Sequence, residues 1–326
     1  MLIELQRGMW KSLKETVFDY SVVVPVYNEE ENILELHKEI VSVMKHLGSY
    51  EVIYINDGST DRTAEQLKKL KDVTIIELNR NYGQAIALDA GFKAAKGEIV
   101  ISLDGDLQND PKDIPRLLKK LEEDNLDVVA GWRKKRKDKA GIRILTRTGR
   151  LLRKILIKDP VHDTGCTLRV YKRDAVKSLD LWGEMHRYIL ALLRWKGFKI
   201  GELEVNHRPR VNGKTKYGYS KSLKGFVDLI YIWFINKYSN RPLHMFGTLG
   251  LASFFFGVLA EIYMIYLKIF EHVDLSNNAW FVLGFFLMIM GVQFFVSGIM
   301  LDLLLRSYFN TSNQERRYYV KEIIEK

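Results

Sequence analysis

Asp104 and Asp106 stand one residue apart in Asp104-Gly105-Asp106-Leu107-Gln108, directly after the apolar run Ile99-Val100-Ile101-Ser102-Leu103. Two carboxylates so spaced at a strand end suit a hard divalent cation, Mg2+ or Mn2+, shared with the oxygens of a diphosphate. Three more polar clusters follow apolar runs in the same way: Val24-Pro25-Val26-Tyr27-Asn28-Glu29-Glu30, Asn56-Asp57-Gly58-Ser59-Thr60-Asp61 and Asn79-Arg80-Asn81-Tyr82-Gly83-Gln84. A single acidic triplet recurs in solvated turns, and Asp57-Gly58-Ser59 alone is an ordinary turn or helix N-cap. Four such clusters at successive strand ends form a pattern. The chain contains no GxGxxG and no GxxxxGK[ST], so the usual dinucleotide and P-loop ways of holding phosphate are excluded. One cysteine, Cys166, excludes an internal disulfide framework and a Cys-rich metal cluster.

The elements that must position these residues are legible in outline. Strands are expected over 21–26, 51–56, 73–78, 98–103 and 127–130, with helical periodicity over 30–47, 60–70, 84–95 and 111–123 between them. Strand–helix alternation predicts an α/β domain with a mainly parallel sheet covered on both faces. Such sheets bind ligands at the carboxyl ends of their strands, where the polar clusters fall.

The chain has 326 residues, 47% hydrophobic and 28% charged, with a formal net charge of +10. That length allows two ordinary domains, and the mixture excludes disorder or low complexity. Mean hydropathy is slightly negative, but the average hides a division. The first 240 residues read as soluble α/β, whereas 243–267 and 279–305 are apolar runs with one formal charge each, Glu261 and Asp302. Each exceeds the roughly 20 residues a helix needs to cross a bilayer, and the short linker makes them a hairpin. Lys237 and Arg241 precede the first run, and Arg306, Arg316, Arg317 and Lys321 follow the second, so both termini and the α/β part are expected on the cytoplasmic side of a multi-pass cell-membrane protein. The first residues do not form a signal peptide. Glu261, an ionisable group at bilayer depth, is either functional or else buried between subunits or snorkelling to the interface.

From Arg133 to Lys158 there are twelve Lys and Arg against one acid, Asp138, interleaved after residue 141 with Ile and Leu. This predicts a basic amphipathic helix over about 141–158 lying on a membrane surface rather than on nucleic acid. Residues 219–240, rich in Trp, Tyr and Phe, form a second expected interfacial helix.

The stretches VPVYNEE, NDGSTD, RNYGQ, DGDLQNDP, DTGCTLR (163–169), GEMHRY (183–188) and RVNGKTKYGYSKSL (210–223) together resemble the polyprenyl-phosphate branch of glycosyltransferase family 2, with its GT-A (Rossmann-like) fold. Dolichol-phosphate mannose synthases and undecaprenyl-phosphate glucosyl- and aminoarabinosyl-transferases are of this kind. The resemblance implies an N-terminal extension (1–18), a GT-A domain (19–218), an interfacial helix (219–240), two transmembrane helices (241–310) and a cytoplasmic tail (311–326). It implies a nucleotide sugar donor, a polyprenyl phosphate acceptor, Mg2+ or Mn2+, a lipid bilayer as partner, and leaves a homo-oligomer open. Pro25, Tyr27, Glu29, Asp57, Gly83 and Asp104 then fall at nucleotide-binding positions, Asp57 at that of the acid bonding the base. Asp104, Asp106 and Gln108 fall at metal positions.

For the acceptor, the resemblance implies phosphate contacts from Arg169, Arg210, Lys214 and Lys216, with Thr215 where relatives carry Ser. The expected reaction is an inverting displacement by a lipid phosphate oxygen on the anomeric carbon. A phosphate with second pKa about 6 is largely ionised at neutral pH, so a strong general base is not obligatory. Some relatives carry an acid directly after Thr-Gly; here Cys166 stands there and Asp163 precedes it by three. Asp163 is the first candidate for base or acceptor-site residue, and Glu184 the second. A processive polysaccharide synthase would need QxxRW and more spans; the chain has Ala191-Leu192-Leu193-Arg194-Trp195 and two runs. A catalytically silent nucleotide-sugar binder is the other alternative, and the complete set of Asp57, Asp104, Asp106, Arg210 and Lys216 argues against it.

Overall fold

The computed structural model describes residues 18–134, 161–209, 241–275 and 278–311, with six positions between 230 and 238. The expected helix at 141–158 and the loop carrying Arg210, Lys214 and Lys216 lie outside the described residues, as does most of 219–240. The chain divides into two compact units, 1–228 and 229–326.

Unit one is a seven-stranded sheet in the order β3-β2-β1-β4-β6-β5-β7. The strands are β1 (Tyr20–Val26), β2 (Tyr50–Asn56), β3 (Val73–Glu77), β4 (Ile99–Ser102), β5 (Val128–Trp132), β6 (Arg169–Lys172) and β7 (Ile200–Glu204). The first five match the expected strands. β6 and β7 were not expected, and β6 runs antiparallel between β4 and β5, so the sheet is mixed. The other pairings, β1 with β2 and β4, β2 with β3, and β5 with β7, are parallel. β1 and β2 read as nearly unbroken apolar runs because both faces are covered, and Val22, Val23, Val24, Ile53, Tyr54 and Ile55 are fully buried.

The helices around it are α1 (Ile33–Met44), α2 (Thr63–Leu67), α3 (Gln84–Ala94), α4 (Ile114–Glu123), α5 (Arg173–Lys177) and α6 (Ile189–Trp195). α1 buries Ile33, Leu36, Ile40 and Met44, the i, i+3, i+4 stripe of an amphipathic helix. α2 is shorter than the expected 60–70. α3 lies close on the sheet at Gly91, where a Cβ would stand 2.7 Å from Ile55 Cδ1. From β1 the chain winds outward through β2 and β3, then returns to place β4 on the other side of β1. This reversal is a topological switch point, and the crevice there opens outside the carboxyl ends of β1 and β4.

Unit two holds α7 (Pro242–Glu271) and α8 (Ala279–Thr311). Pro242 opens α7, where a missing N–H costs nothing. Pro242–Glu271 and Ala279–Leu305 are long and apolar enough to cross a membrane. Their outer faces expose large apolar side chains such as Leu251, Phe256, Ile269 and Phe286. Their facing sides meet at glycines: a Cβ on Gly250 would stand 2.6 Å from Gly291 O, and one on Gly257 2.8 Å from Gly284 O. Ser253 Oγ donates to Leu287 O at 2.8 Å. Glu261 is buried against Gly284, and its Oε1 has no hydrogen-bond partner among the described residues.

Candidate active site

A cleft of about 270 Å³ lies at the switch point, lined by Pro25, Val26, Tyr27, Glu29, Asp57, Asn81, Gly83, Gln84, Ala87, Asp104, Gly105 and Asp106. The expected nucleotide residues and the acidic pair are thus brought to one place. The loops are braced to each other before any ligand arrives. Asn28 N donates to Ser59 Oγ at 3.0 Å, Thr60 N to Asn28 Oδ1 at 2.8 Å, and Glu29 N to Thr63 Oγ1 at 2.9 Å. Asn28 itself takes φ +55, a conformation Asn tolerates better than most residues.

Asp57 does more than line the cleft. Its Oδ1 accepts from Tyr82 N at 2.7 Å and its Oδ2 from Gly83 N at 2.9 Å, so it fixes the third loop. Gly83 sits at φ +95, which a side chain would strain, and a Cβ there would meet nothing within 4 Å. The backbone therefore borders open space at the mouth of α3.

Asp104 follows β4. Gln84 Nε2, from the first turn of α3, donates to its Oδ1 at 2.7 Å, and the Thr167 hydroxyl also bonds it. Burial, then the Asp106 carboxylate, pushes its pKa up to about 6. Two carboxylates on one short loop, one of them deeply buried, supply the hard oxygen donors that suit a divalent ion. Among the described residues no group of three or more His, Cys, Asp or Glu gathers around one point. Such a site takes its remaining oxygens from substrate phosphates and water, as Mg2+-type sites commonly do. Gln108, the third expected metal residue, lies on the same loop but not in the cleft lining.

The DTGCTLR stretch meets the acidic pair at Thr167, which bonds Asp104. Asp163 accepts from Arg133 Nε at 2.7 Å and Nη2 at 3.0 Å, and from Gly165 N at 3.0 Å. Burial would raise its carboxyl, but the Arg133 hydrogen bonds and charge outweigh it and hold the pKa below the usual range. Such an anion is a weak base. Arg169 is buried, with Nε donating to Cys166 O and Nη2 to Thr164 O, each at 2.7 Å, so its guanidinium holds this loop from inside. Burial pushes the Cys166 thiol up to about 11, which suits a small core residue rather than a nucleophile. Glu184 is exposed, paired with Arg187 at 3.0 Å. Sequence reasoning did not single out Gln84, Thr167 or Arg133. Gln84 ends the RNYGQ stretch, and that was the available signal; the others act through partners far away in the chain.

A mixed sheet with strand-end loops gathering acids at the β1/β4 switch point defines a GT-A-type glycosyltransferase domain. The family model for "Glycosyl transferase family 2" matches residues 21–180. The dodecaprenyl-phosphate galacturonate synthase of Rhizobium johnstonii is 35% identical over 94% of this chain and 93% of its own length. The undecaprenyl-phosphate 4-deoxy-4-formamido-L-arabinose transferase of Shewanella sediminis is 33% identical over 93% of this chain and 92% of its own. Among solved structures, glucosyl-3-phosphoglycerate synthase from Mycobacterium tuberculosis, in complex with Mn2+, uridine diphosphate and phosphoglyceric acid, has the same fold. Its TM-score is 0.55 at 20% identity, over 70% of this chain and 81% of that one. The chain belongs to glycosyltransferase family 2, and its relatives are polyprenyl-phosphate glycosyltransferases.

Proposed function

We propose that this glycosyltransferase moves a sugar from a nucleotide sugar, a UDP-linked hexose, to a polyprenyl phosphate at the cytoplasmic face of a membrane. The observation that carries the reading is the Asp104–Asp106 pair opening into a cleft whose other walls are the Pro25, Asp57 and Gly83 loops. The polyprenyl-phosphate acceptors named for the 33–35% identical relatives support the acceptor class.

In this reading the Pro25–Glu29 and Asp57 loops hold the nucleoside, and the Gly83 backbone borders the donor. Asp104 and Asp106, with Gln108 in support, would hold Mg2+ or Mn2+. When bound, the cation supplies positive charge against that developing on the departing nucleoside diphosphate. An acceptor phosphate oxygen attacks the anomeric carbon, the bond to the nucleoside diphosphate breaks, and configuration inverts. The ionised acceptor needs positioning more than deprotonation. Of the two roles open to Asp163, the Arg133 pair favours shaping the acceptor wall over acting as base, and Glu184 remains the alternative base. Arg169 supports that wall, and Arg210, Lys214 and Lys216 supply the remaining phosphate contacts. Residues 19–218 carry the chemistry, 219–240 lie at the interface, and 241–310 form the membrane hairpin.

The test is incubation of the detergent-purified protein with Mn2+, radiolabelled nucleotide sugars and a short polyprenyl phosphate. A single labelled lipid is expected. A polymer would indicate a processive synthase. Nucleotide binding without product from any donor would indicate a silent binder.

A further inference from the structure

Leu107 sits between Asp106 and Gln108 with φ +61, in the left-handed region that a leucine avoids. This turn separates the second acid of the pair from the supporting amide. A non-glycine residue keeps such a conformation only where its surroundings hold it there, and such strain gathers at functional sites.

Within the turn Gln108 N donates to Asp106 Oδ1 at 3.2 Å, and two further sets of contacts hold it from outside. On the sheet side, Asn109 Nδ2 donates to Thr167 Oγ1 at 2.9 Å. On the other side runs the segment leaving β7. Asn109 pairs with His207 in an isolated antiparallel bridge, and Arg208 N donates to Gln108 O at 2.9 Å. The Arg208 guanidinium reaches Asp110 Oδ1 at 2.7 Å through Nη2, and both Glu39 oxygens at 2.8 Å through Nη1. Glu39 belongs to α1, whose Leu36 and Ile40 are fully buried in the core. Asn206 N donates to Asp113 Oδ2 at 2.7 Å and closes the same seam further along.

We infer that Arg208 is a positioning residue for the metal-holding loop: it ties the strained Asp106-Leu107-Gln108 turn to the rigid α1 helix, so that the turn is set before the ion and nucleotide bind. The arrangement explains why an arginine is used. One planar fork spans two carboxylates on different elements, which a lysine ammonium does less well. Partners behind a metal site that orient its ligands change metal affinity when lost, typically by 10–100-fold. The inference rests on the metal reading above.

The test is Mn2+ binding to the full-length protein in detergent, followed by electron paramagnetic resonance with UDP and, in parallel, with GDP. Arg208→Ala is expected to weaken Mn2+ binding at least about tenfold, with far-UV circular dichroism unchanged at the assay temperature. Arg208→Lys should fall between it and wild type. Adding Leu107→Gly to Arg208→Ala should recover part of the lost affinity, because glycine takes the left-handed turn without steric cost. A purely structural role would lower the unfolding temperature and leave the folded fraction's Mn2+ affinity alone. Wild-type affinity in Arg208→Ala overturns the inference, as does a loss that tracks unfolding and is not recovered by Leu107→Gly. A wild-type chain that retains Mn2+ with neither nucleotide fails differently: it removes the metal reading itself.

Discussion

Asp104 and Asp163 are two carboxylates whose surroundings drive their pKa values in opposite directions. Burial and Asp106 raise Asp104 to about 6, above the ordinary carboxylate value of about 3.9. The ionised form therefore costs the metal-free fold, and stability without metal declines as pH rises through about 6, where that form takes over. A bound cation reverses this. The gain in unfolding temperature from Mn2+ and UDP is expected to be full above about pH 7 and to shrink as pH falls below about 6, where protons compete for Asp104. A gain independent of pH across that window, measured by thermal unfolding with and without Mn2+, would remove Asp104 from the ion's ligands. Asp163 behaves oppositely. Its pKa is depressed, so the Arg133 pair contributes stability present above the usual carboxylate range and lost as pH falls through the depressed value. The two side chains are only 12% and 13% exposed, so removing one partner strands a largely desolvated charge. Asp163→Asn should cost about 3 kcal/mol in chemical denaturation. If Asp163 were also the general base, the variant would lose turnover beyond what its folded fraction accounts for.

The strands that could be read in the sequence were those whose apolar runs end in a polar cluster. Tyr27, Asp57, Gly83 and Asp104 were assignable because each lies just past, or a short loop past, a β-branched or apolar stretch, and the crossover rule places all four at one rim. β6 and β7 were not assignable. Arg169-Val170-Tyr171-Lys172 and Ile200-Gly201-Glu202-Leu203-Glu204 are short, mixed and half polar, and only their neighbours make them strands. The same holds for pairs that join distant elements: Gln84 with Asp104, Arg133 with Asp163 and Arg208 with Glu39 are 20, 30 and 169 residues apart. Spacing carries no trace of them. In the hairpin the reverse is true. Gly284, Gly291 and Gly298 recur every seven residues along α8, and each has a close neighbour on α7. This is small-residue packing, which needs backbones rather than side chains in contact. Gly291→Leu would drive a side chain into Gly250 O and Phe254 N. It should destabilise the α7–α8 pair by about 1–3 kcal/mol, seen as a lower unfolding temperature in detergent, while Mn2+–UDP binding by unit one is unchanged.

For the molecule as a whole, placing acceptor chemistry at a cytoplasmic membrane face depends on which way the hairpin enters. The charges that decide this lie outside the apolar runs. Lys237 and Arg241 stand before α7, Arg306, Arg316, Arg317 and Lys321 lie near or beyond the end of α8, and the last turn of α7 with the connection after it holds one Lys, Lys268, and two acids, Glu271 and Asp274. Orientation follows the excess of Lys and Arg near the span ends, so the turn should face outward and both flanks inward. The chain offers a clean way to check. Its one cysteine, Cys166, is fully buried, with its thiol held neutral well above physiological pH, so background labelling by a thiol reagent is low. Asn278→Cys, just before α8, is expected to react with a membrane-impermeant maleimide added to intact cells, whereas a cysteine replacing Lys237 should react only after the membrane is opened. The opposite pattern would put the Asp104 cleft on the far side from the cell's nucleotide sugars, and the proposed donor could not reach it.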